Sequence, residues 1–268
     1  MKLNVDYHFH PNLPKNEKKA IRKCQKWWEI FQKNNINVVI VTEHVYKNPK
    51  RAYQLMKETK PANSYLLPGM EYLTKEGIDI IIFSENQNLY GFNQLQPYNL
   101  TFNNILNLIS NSCLAAYITH PYTIGTTSII KKLGYEIYKN AIDNLGSVEI
   151  TNSSFDNLNN LLKKPFLNKL FTNKIKKVEK TKKLPKKEYP KKIKFLAAGS
   201  DAHHFKEIGT YVSINNIDDN LFNNLISNKN PDIYYKDNEK IDFHLLFSLA
   251  ITDLRELLIK QKIKWLQK

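Results

Sequence analysis

The amino-acid sequence predicts an α/β fold in which short buried strands alternate with amphipathic helices. Apolar runs bounded by turn residues recur along the chain, and runs such as Val38–Val41 are apolar at every position. Such continuous runs are typical of parallel strands that are covered on both faces. The chain has 268 residues, of which 42% are hydrophobic, which is enough for one large domain or two small ones. The repeated strand–helix units therefore predict a parallel sheet, open or closed into a barrel.

Each predicted strand is a short apolar run between turn signals. The predicted strands are Leu3–Tyr7, Asn37–Thr42, Tyr65–Met70, Ile78–Ser84, Cys113–Thr119, Ser147–Thr151, Lys194–Gly199 and Tyr211–Ile214. The first predicted helix, Lys15–Lys33, places Ala20, Cys24, Trp27 and Phe31 at three- and four-residue spacings along one face. Further helices are predicted at Pro49–Glu58, Thr101–Asn111, Thr127–Leu145 and Phe155–Phe171, and Lys240–Gln267 is predicted to be a long helix or a helix pair.

The net charge of +15 is concentrated in one segment. Lys163–Lys194 contains 14 lysines against Glu179 and Glu188, a net charge of +12, which leaves +3 for the rest of the chain. Within it, Lys174–Lys192 is predicted to be a loop. Two interpretations stay open, a solvated basic insertion or a patch that attracts anions or nucleic acid.

Composition also excludes several classes of protein. No apolar run approaches the roughly 18 residues that a membrane span requires, so no membrane contact is expected. The N-terminus becomes polar too early for a secretory signal. Cys24 and Cys113 form neither a disulfide framework nor a thiolate metal site. These features favour a cytoplasmic protein.

The positions of the histidines along the chain indicate a functional site. Six of the seven follow or end predicted strands, and carboxylates accompany them. The side chains of interest are His8, His10, Glu43, His44, Glu71, His120, Asp201, His203 and His204. The carboxyl ends of parallel strands meet on one face of an α/β fold, so these side chains are expected to lie together. The seventh, His244, falls within a predicted amphipathic helix and is interpreted as structural.

The spacing of these residues suits metal binding. In an extended segment, residues two apart point to the same side, which pairs His8 with His10 and Asp201 with His203. A carboxylate such as Glu71 offers two oxygens and can bridge two cations. Imidazole and carboxylate ligands suit Zn, Mn or Fe. Any single histidine is compatible with a structural role, but the joint pattern predicts a multinuclear metal site.

The order of the motifs resembles the PHP family, named for polymerase and histidinol phosphatase. The matching segments are His8-Phe9-His10, Thr42-Glu43-His44, Gly69-Met70-Glu71, His120-Pro121 and Gly199-Ser200-Asp201-Ala202-His203. They span about residues 3–215, roughly four-fifths of the chain. The resemblance implies a distorted (β/α)7 TIM-like barrel over residues 1–215, with 163–194 as a basic insertion. Residues 216–268 would form a C-terminal helical segment packed on the barrel.

The resemblance also implies two or three divalent metal ions and their ligands. One metal would take His8, His10, Glu71 and Asp201, and a second would take His44 and His203. A third would share Glu71 and take His120. Glu43 would lie behind the ligands or bind weakly.

Two departures from the family pattern concern these sites. The stretch after His10 offers only Asn12 where many members have a His or an Asp. No histidine occurs between Tyr72 and Thr119, so Asp79 is predicted to substitute for one.

The predicted activity is hydrolysis of a phosphate ester by a metal-activated hydroxide, on a small phosphomonoester or a nucleotide. Glu71 and Asp201 would hold the metals, His204 would pass a proton to the leaving group, and Lys47 and Arg51 would bind the outer phosphate. One alternative is a metal-dependent nuclease acting on DNA or RNA through the basic segment. Another is a non-catalytic nucleic-acid-binding subunit. The oligomeric state stays open.

Overall fold

The computed structural model describes residues 2–121, 128–154, 191–215, 220–235 and 258–265, together with Lys169, Asn173 and Lys176. The predictions for the Phe155–Phe171 helix and the Lys174–Lys192 loop lie outside the described residues. So do His244 and most of the predicted Lys240–Gln267 helix, of which residues 258–265 are described and helical. The division of the chain at residue 215 stays a prediction.

One nine-stranded sheet forms the centre of the molecule. Its strands are β1 (Lys2–Phe9), β2 (Val38–Val41), β3 (Tyr65–Leu73), β4 (Asp79–Phe83), β5 (Ala115–Ile118), β6 (Ser147–Asn152), β7 (Phe195–Gly199), β8 (Tyr211–Asn215) and β9 (Asp232–Tyr234). They are ordered β7-β6-β5-β4-β3-β2-β1-β8-β9. The helices are α1 (Glu17–Lys33), α2 (Pro49–Glu58), α3 (Phe102–Ser110), α4 (Ile129–Leu133), α5 (Tyr135–Leu145) and α6 (Leu221–Ile226). No described helix has the length and apolar content to cross a membrane.

The sheet curls into a nearly closed barrel, because the segment after β7 returns to β1. Phe9 and Ala202 form a parallel bridge there. The backbone N–H of Asp201 donates to the His8 carbonyl at 2.7 Å, and that of Ser200 donates to Asp6 Oδ1 at 2.9 Å. These bonds join the segment after β7 to β1 and so nearly close the ring of strands β1 to β7, which confirms the predicted α/β, TIM-like barrel architecture.

The direction of two predicted strands, β4 and β8, differs from the prediction of a parallel sheet. β4 runs antiparallel to both β3 and β5, and β8 and β9 are also antiparallel to their neighbours. A parallel connection needs a crossover of about a dozen residues or more, and only residues 74–78 separate β3 from β4. The turn uses Gly77 at φ +79°, a conformation that glycine adopts without a steric penalty. α6 lies in the predicted C-terminal helical segment, whereas β9, in the same segment, was not predicted as a strand.

The barrel interior and its outer layer are both apolar. Inside, Tyr7 stacks on Phe195 at a centroid distance of 6.2 Å, and the Tyr117 hydroxyl donates to the Tyr7 carbonyl at 2.6 Å. Outside, Phe9 meets Trp27 of α1 edge-on at 4.8 Å. The apolar stripe predicted for the first helix is therefore the face that packs on the barrel.

The seam of the barrel, where the end of β7 meets β1, leaves no space for a side chain at Gly199. A Cβ at this position would lie 2.3 Å from the His8 nitrogen and 2.7 Å from Asp6 Oδ1. We expect Gly199→Ala to lower the free energy of unfolding by about 2 kcal/mol or more, because overpacking displaces rigid backbone. Denaturant unfolding followed by circular dichroism measures the change.

The matched control is Gly91→Ala, because a Cβ at Gly91 would meet nothing within 4 Å. We expect this control to change stability by no more than about 0.5 kcal/mol. Equal stability of the two variants would contradict the tight seam.

Candidate metal centre

The end of β1 supplies the first two histidines of the site. The pairing of β1 with β2 shifts register between Asp6 and Phe9, and such irregularities redirect side chains. As a result, Tyr7 faces the barrel interior and the next residue, His8, faces the same interior space. His8 Nε2 and His10 Nε2 lie 3.0 Å apart, both fully buried.

Asp201 completes the first group of ligand atoms. Its Oδ1 lies 3.4 Å from His8 Nε2 and 3.3 Å from His10 Nε2. Asp201 has φ +49°, which is unusual for a residue with a side chain. Its backbone is fixed in that conformation by the bond to the His8 carbonyl, so the barrel seam also orients this carboxylate.

Glu71 of β3 lies at the centre of the site. Its oxygens approach His8 Nε2 at 3.7 Å, His10 Nε2 at 3.6 Å, His44 Nδ1 at 2.5 Å and His120 Nε2 at 3.2 Å. A single carboxylate is therefore shared by four histidines from the ends of three strands, β1, β2 and β5. This arrangement is the one predicted for a bridging ligand.

Among the described residues, three groups of side chains have the geometry to bind a metal ion. In each group the potential ligand atoms all lie within 4.8 Å of one another. The groups are His8, His10 and Asp201; His10, His44 and His203; and Glu71, Asp79 and His120. The antiparallel direction of β4 matters here, because it places the start of that strand, Asp79, at the same barrel end as Glu71.

The chemistry of these atoms fits a cation. His8 Nδ1 lies 2.8 Å from Glu149 Oε1, and a carboxylate accepts hydrogen bonds, so the His8 proton belongs on Nδ1. Its Nε2 then presents a lone pair toward a second imidazole nitrogen and a carboxylate oxygen. Lone pairs that converge in a buried space repel one another unless a proton or a metal ion lies between them.

The pKa values of the buried acids and histidines also show that the site favours bound positive charge. Burial alone would raise the pKa of Glu71 and Asp201, but the surrounding histidines lower both well below the usual range. Burial alone would lower the pKa of His8, but Asp201, Glu149 and Glu71 raise it to about 10. His10 has a lowered pKa because it is buried and lies beside His44 and His203. Metal ions would displace protons from this site, so binding is expected to depend on pH.

Supporting carboxylates orient the ligands, and the sequence did not single them out. Glu149 of β6 contacts His8 and also accepts from the His120 backbone N–H at 2.8 Å. Glu207 accepts from the backbone N–H groups of His203 and His204 at 2.8 and 2.7 Å. No short motif marks either residue, and both are buried acids. Glu149 lies in a predicted strand, and Glu207 follows the final motif.

Glu43 lies behind the ligands, as one of its two predicted roles requires. Its Oε2 accepts from the Asn12 backbone N–H at 2.6 Å, and its Oε1 lies 3.7 Å from His10 Nδ1. Burial opposes its ionisation, but the nearby His10 ring and the charge of Lys47 lower its pKa to about 2. Glu43 is therefore a charged anchor for the loop after β1 and for the His10 ring.

The predicted substrate and proton-transfer residues lie around the site with different contacts. Arg51 Nη2 donates to the Pro14 carbonyl at 3.1 Å and thereby ties α2 to the loop after β1. Lys47 is half-buried near Glu43. His204 Nδ1 accepts from the Lys206 backbone N–H at 3.2 Å, where it caps a short 3-10 turn. Their roles with substrate stay predictions.

Glu149 gives a prediction about metal affinity. Replacing it by Gln removes the carboxylate that fixes the His8 ring, so we expect metal affinity to fall by about 10- to 100-fold. Titration calorimetry with Mn²⁺ or Zn²⁺ measures the change. Glu136→Gln, an exposed position on α5, is the control. Equal affinity in both variants would contradict the orienting role of Glu149.

Comparisons with known proteins identify solved structures that share the fold. No family model and no curated protein matches the sequence. PsfC from Pseudomonas syringae PB-5123 superposes with a TM-score of 0.59 at 13% identity, covering 96% of this chain and 99% of PsfC. Endonuclease Q, solved in complex with a 27-mer duplex substrate with an abasic lesion at the active site, superposes with a TM-score of 0.53 at 16% identity. That match covers 84% of this chain and 55% of endonuclease Q, so the chain corresponds to about half of it. The chain therefore shares an α/β barrel fold with these two proteins, and membership of the PHP family stays a prediction.

Proposed function

We propose that this protein is a metal-dependent hydrolase of phosphate esters. The observation that supports the proposal best is the convergence of eight predicted ligands on one barrel end. They are His8, His10, His44, Glu71, Asp79, His120, Asp201 and His203. These residues are remote in sequence, and no ordinary requirement of barrel packing would bury four histidines around one carboxylate.

The candidate ligands would form two neighbouring metal sites. His8, His10 and Asp201 would bind one divalent ion, His44 and His203 a second, and Glu71 lies beside both groups. Zn, Mn and Fe are the metals that suit these ligands. When bound, such ions supply a water of lowered pKa and neutralise charge on phosphoryl oxygens.

The chain also offers His204 as a hydrogen-bond donor for the leaving group. Burial and the charges of Lys206, Lys23 and Lys26 lower the pKa of His204, which favours the neutral form of its ring. Its Nδ1 accepts a hydrogen bond, which assigns its proton to Nε2. The neutral tautomer can donate a hydrogen bond from Nε2 to a leaving oxygen, whereas the proton transfer predicted for His204 would need its imidazolium form.

The same three lysines form a basic rim next to the site. Lys26 Nζ lies 4.7 Å from the centre of the Phe205 ring, and Lys23 Nζ donates to the Asn12 carbonyl at 2.8 Å. Positive charge beside a metal centre attracts anionic substrates and raises their local concentration. The rim therefore favours a phosphorylated substrate over a neutral one.

A nuclease is the second candidate function, and two observations favour it. The basic rim (Lys23, Lys26 and Lys206) suits a phosphate backbone as well as a single phosphate. Endonuclease Q, which shares the fold, was solved with a 27-mer duplex substrate. The chemistry at phosphorus would be the same, so the substrate screen has to include both monoesters and polymers.

The hydrolase proposal predicts metal-dependent ester cleavage. Protein loaded with Mn²⁺ or Zn²⁺ is expected to release phosphate or cut nucleic acid within a panel of p-nitrophenyl phosphate, nucleotides and single- and double-stranded DNA. We expect Asp201→Asn to lower the rate by about 100-fold or more, because it removes a charged ligand.

The control for this experiment is Glu29→Gln, an exposed acid on α1, which is expected to leave the rate unchanged. Loss of activity with a chelator and recovery with metal would support the proposal. Absence of cleavage across the whole panel, with metal bound, would overturn it and favour a binding role.

The two candidate substrates are separated by salt dependence. If nucleic acid is bound along the rim, log affinity for a DNA oligonucleotide falls linearly with log salt, by about 0.9 per phosphate contact. Replacing Lys26 and Lys206 by Ala should then lower the slope by about one to two. A slope that is the same in wild type and variant, measured by fluorescence anisotropy, would remove the rim from nucleic-acid binding.

A further inference from the structure

The C-terminal helical residues bring a lysine to one of the three ligand groups. Lys260 Nζ lies 3.3 Å from Asp79 Oδ2, and the two side chains are only 16% and 5% exposed. The neighbouring residues 259 and 261 are exposed, so Lys260 points inward from this helix. A lysine ammonium is strongly hydrated, and its burial here therefore requires the negative charge of Asp79.

Asp79 belongs to the group that would complete a third metal site. Its partners are Glu71 and His120, whose Oε1 and Nε2 atoms lie 3.2 Å apart. A metal ion binds a carboxylate oxygen at about 2.0–2.2 Å. An ion in this group would therefore lie within a few ångströms of the Lys260 ammonium, with little water between the two positive charges to screen their repulsion.

A second contact holds Lys260 at this place. Its Nζ lies 5.9 Å from the centre of the Tyr46 ring. Tyr46 in turn stacks on His44, a ligand of another group, at a centroid distance of 4.9 Å and an interplanar angle of 9°. The ammonium is thus bound by a carboxylate from one ligand group and by a ring that packs on the next.

We propose that the Lys260 ammonium takes the place of a third metal ion, so that the centre binds two divalent ions and uses lysine as its third cation. The inference rests on the proposed function, because it takes Glu71, Asp79 and His120 to be part of a metal centre. It assigns Lys260 as a positioning residue, which fixes the Asp79 carboxylate and leaves one positive charge beside the site for an anionic substrate.

The test is a metal count on full-length protein dialysed against excess Mn²⁺ or Zn²⁺, by mass spectrometry of the metal. We expect about two equivalents in the wild type and about three in Lys260→Met, because the neutral side chain frees Asp79 to bind metal. Lys262→Met, an exposed position in the same helix, should stay at two. The double variant Lys260→Met with Asp79→Asn should return to two, which ties the gained ion to this carboxylate.

The possible outcomes separate the two proposals. Two equivalents in both the wild type and Lys260→Met would overturn the role of Lys260 and leave the hydrolase proposal intact. Three equivalents in the wild type would also overturn it. Wild-type protein without bound metal would overturn the metal centre itself, and the role of Lys260 with it.

Discussion

The contact of the Glu71 carboxylate with four buried imidazoles is the interaction on which the site depends. Burying an ionised group costs free energy unless charges or hydrogen bonds compensate for it. Here the compensation comes from His8, His10, His44 and His120, which approach its oxygens from different strand ends. Each of these histidines also lies in a ligand group, so removing the shared acid would leave every group without its common neighbour.

The barrel positions these side chains by departing from regular geometry at a few places. The register shift in β1 turns His8 toward the space that Tyr7 also faces. His120 and Asp201 adopt φ values of +27° and +49°, and strained conformations of this kind concentrate at functional sites. The seam at Gly199 joins β7 to β1 and brings Asp201 to the histidines. A regular parallel barrel would lack both this redirected histidine and the Asp79 carboxylate.

The sequence predicted that most of these side chains would lie together, for a simple physical reason. The two-residue repeat of a strand places His8 with His10, and the convergence of strand ends brings Glu71, His44 and Asp201 to them. Both rules can be read from spacing alone. The direction of β4 was harder to predict, because alternating strands and helices suggest a parallel sheet. Only the length of the connection, residues 74–78, shows that a crossover is impossible.

Side chains that act through hydrogen bonds were the ones that sequence could not identify. Glu149 and Glu207 each contact two or more backbone or ring nitrogens of the site, but their neighbours in sequence form no recognisable motif. Lys260 is 181 residues from the carboxylate that it contacts. Nothing in a lysine-rich chain distinguishes this lysine from the other 36, since only the fold brings it to Asp79.

Positive charge is therefore present at two places around the ligand groups, at the rim next to His204 and at Lys260. If the proposed hydrolase function holds, a phosphate ester at the metal centre would meet cations from both places.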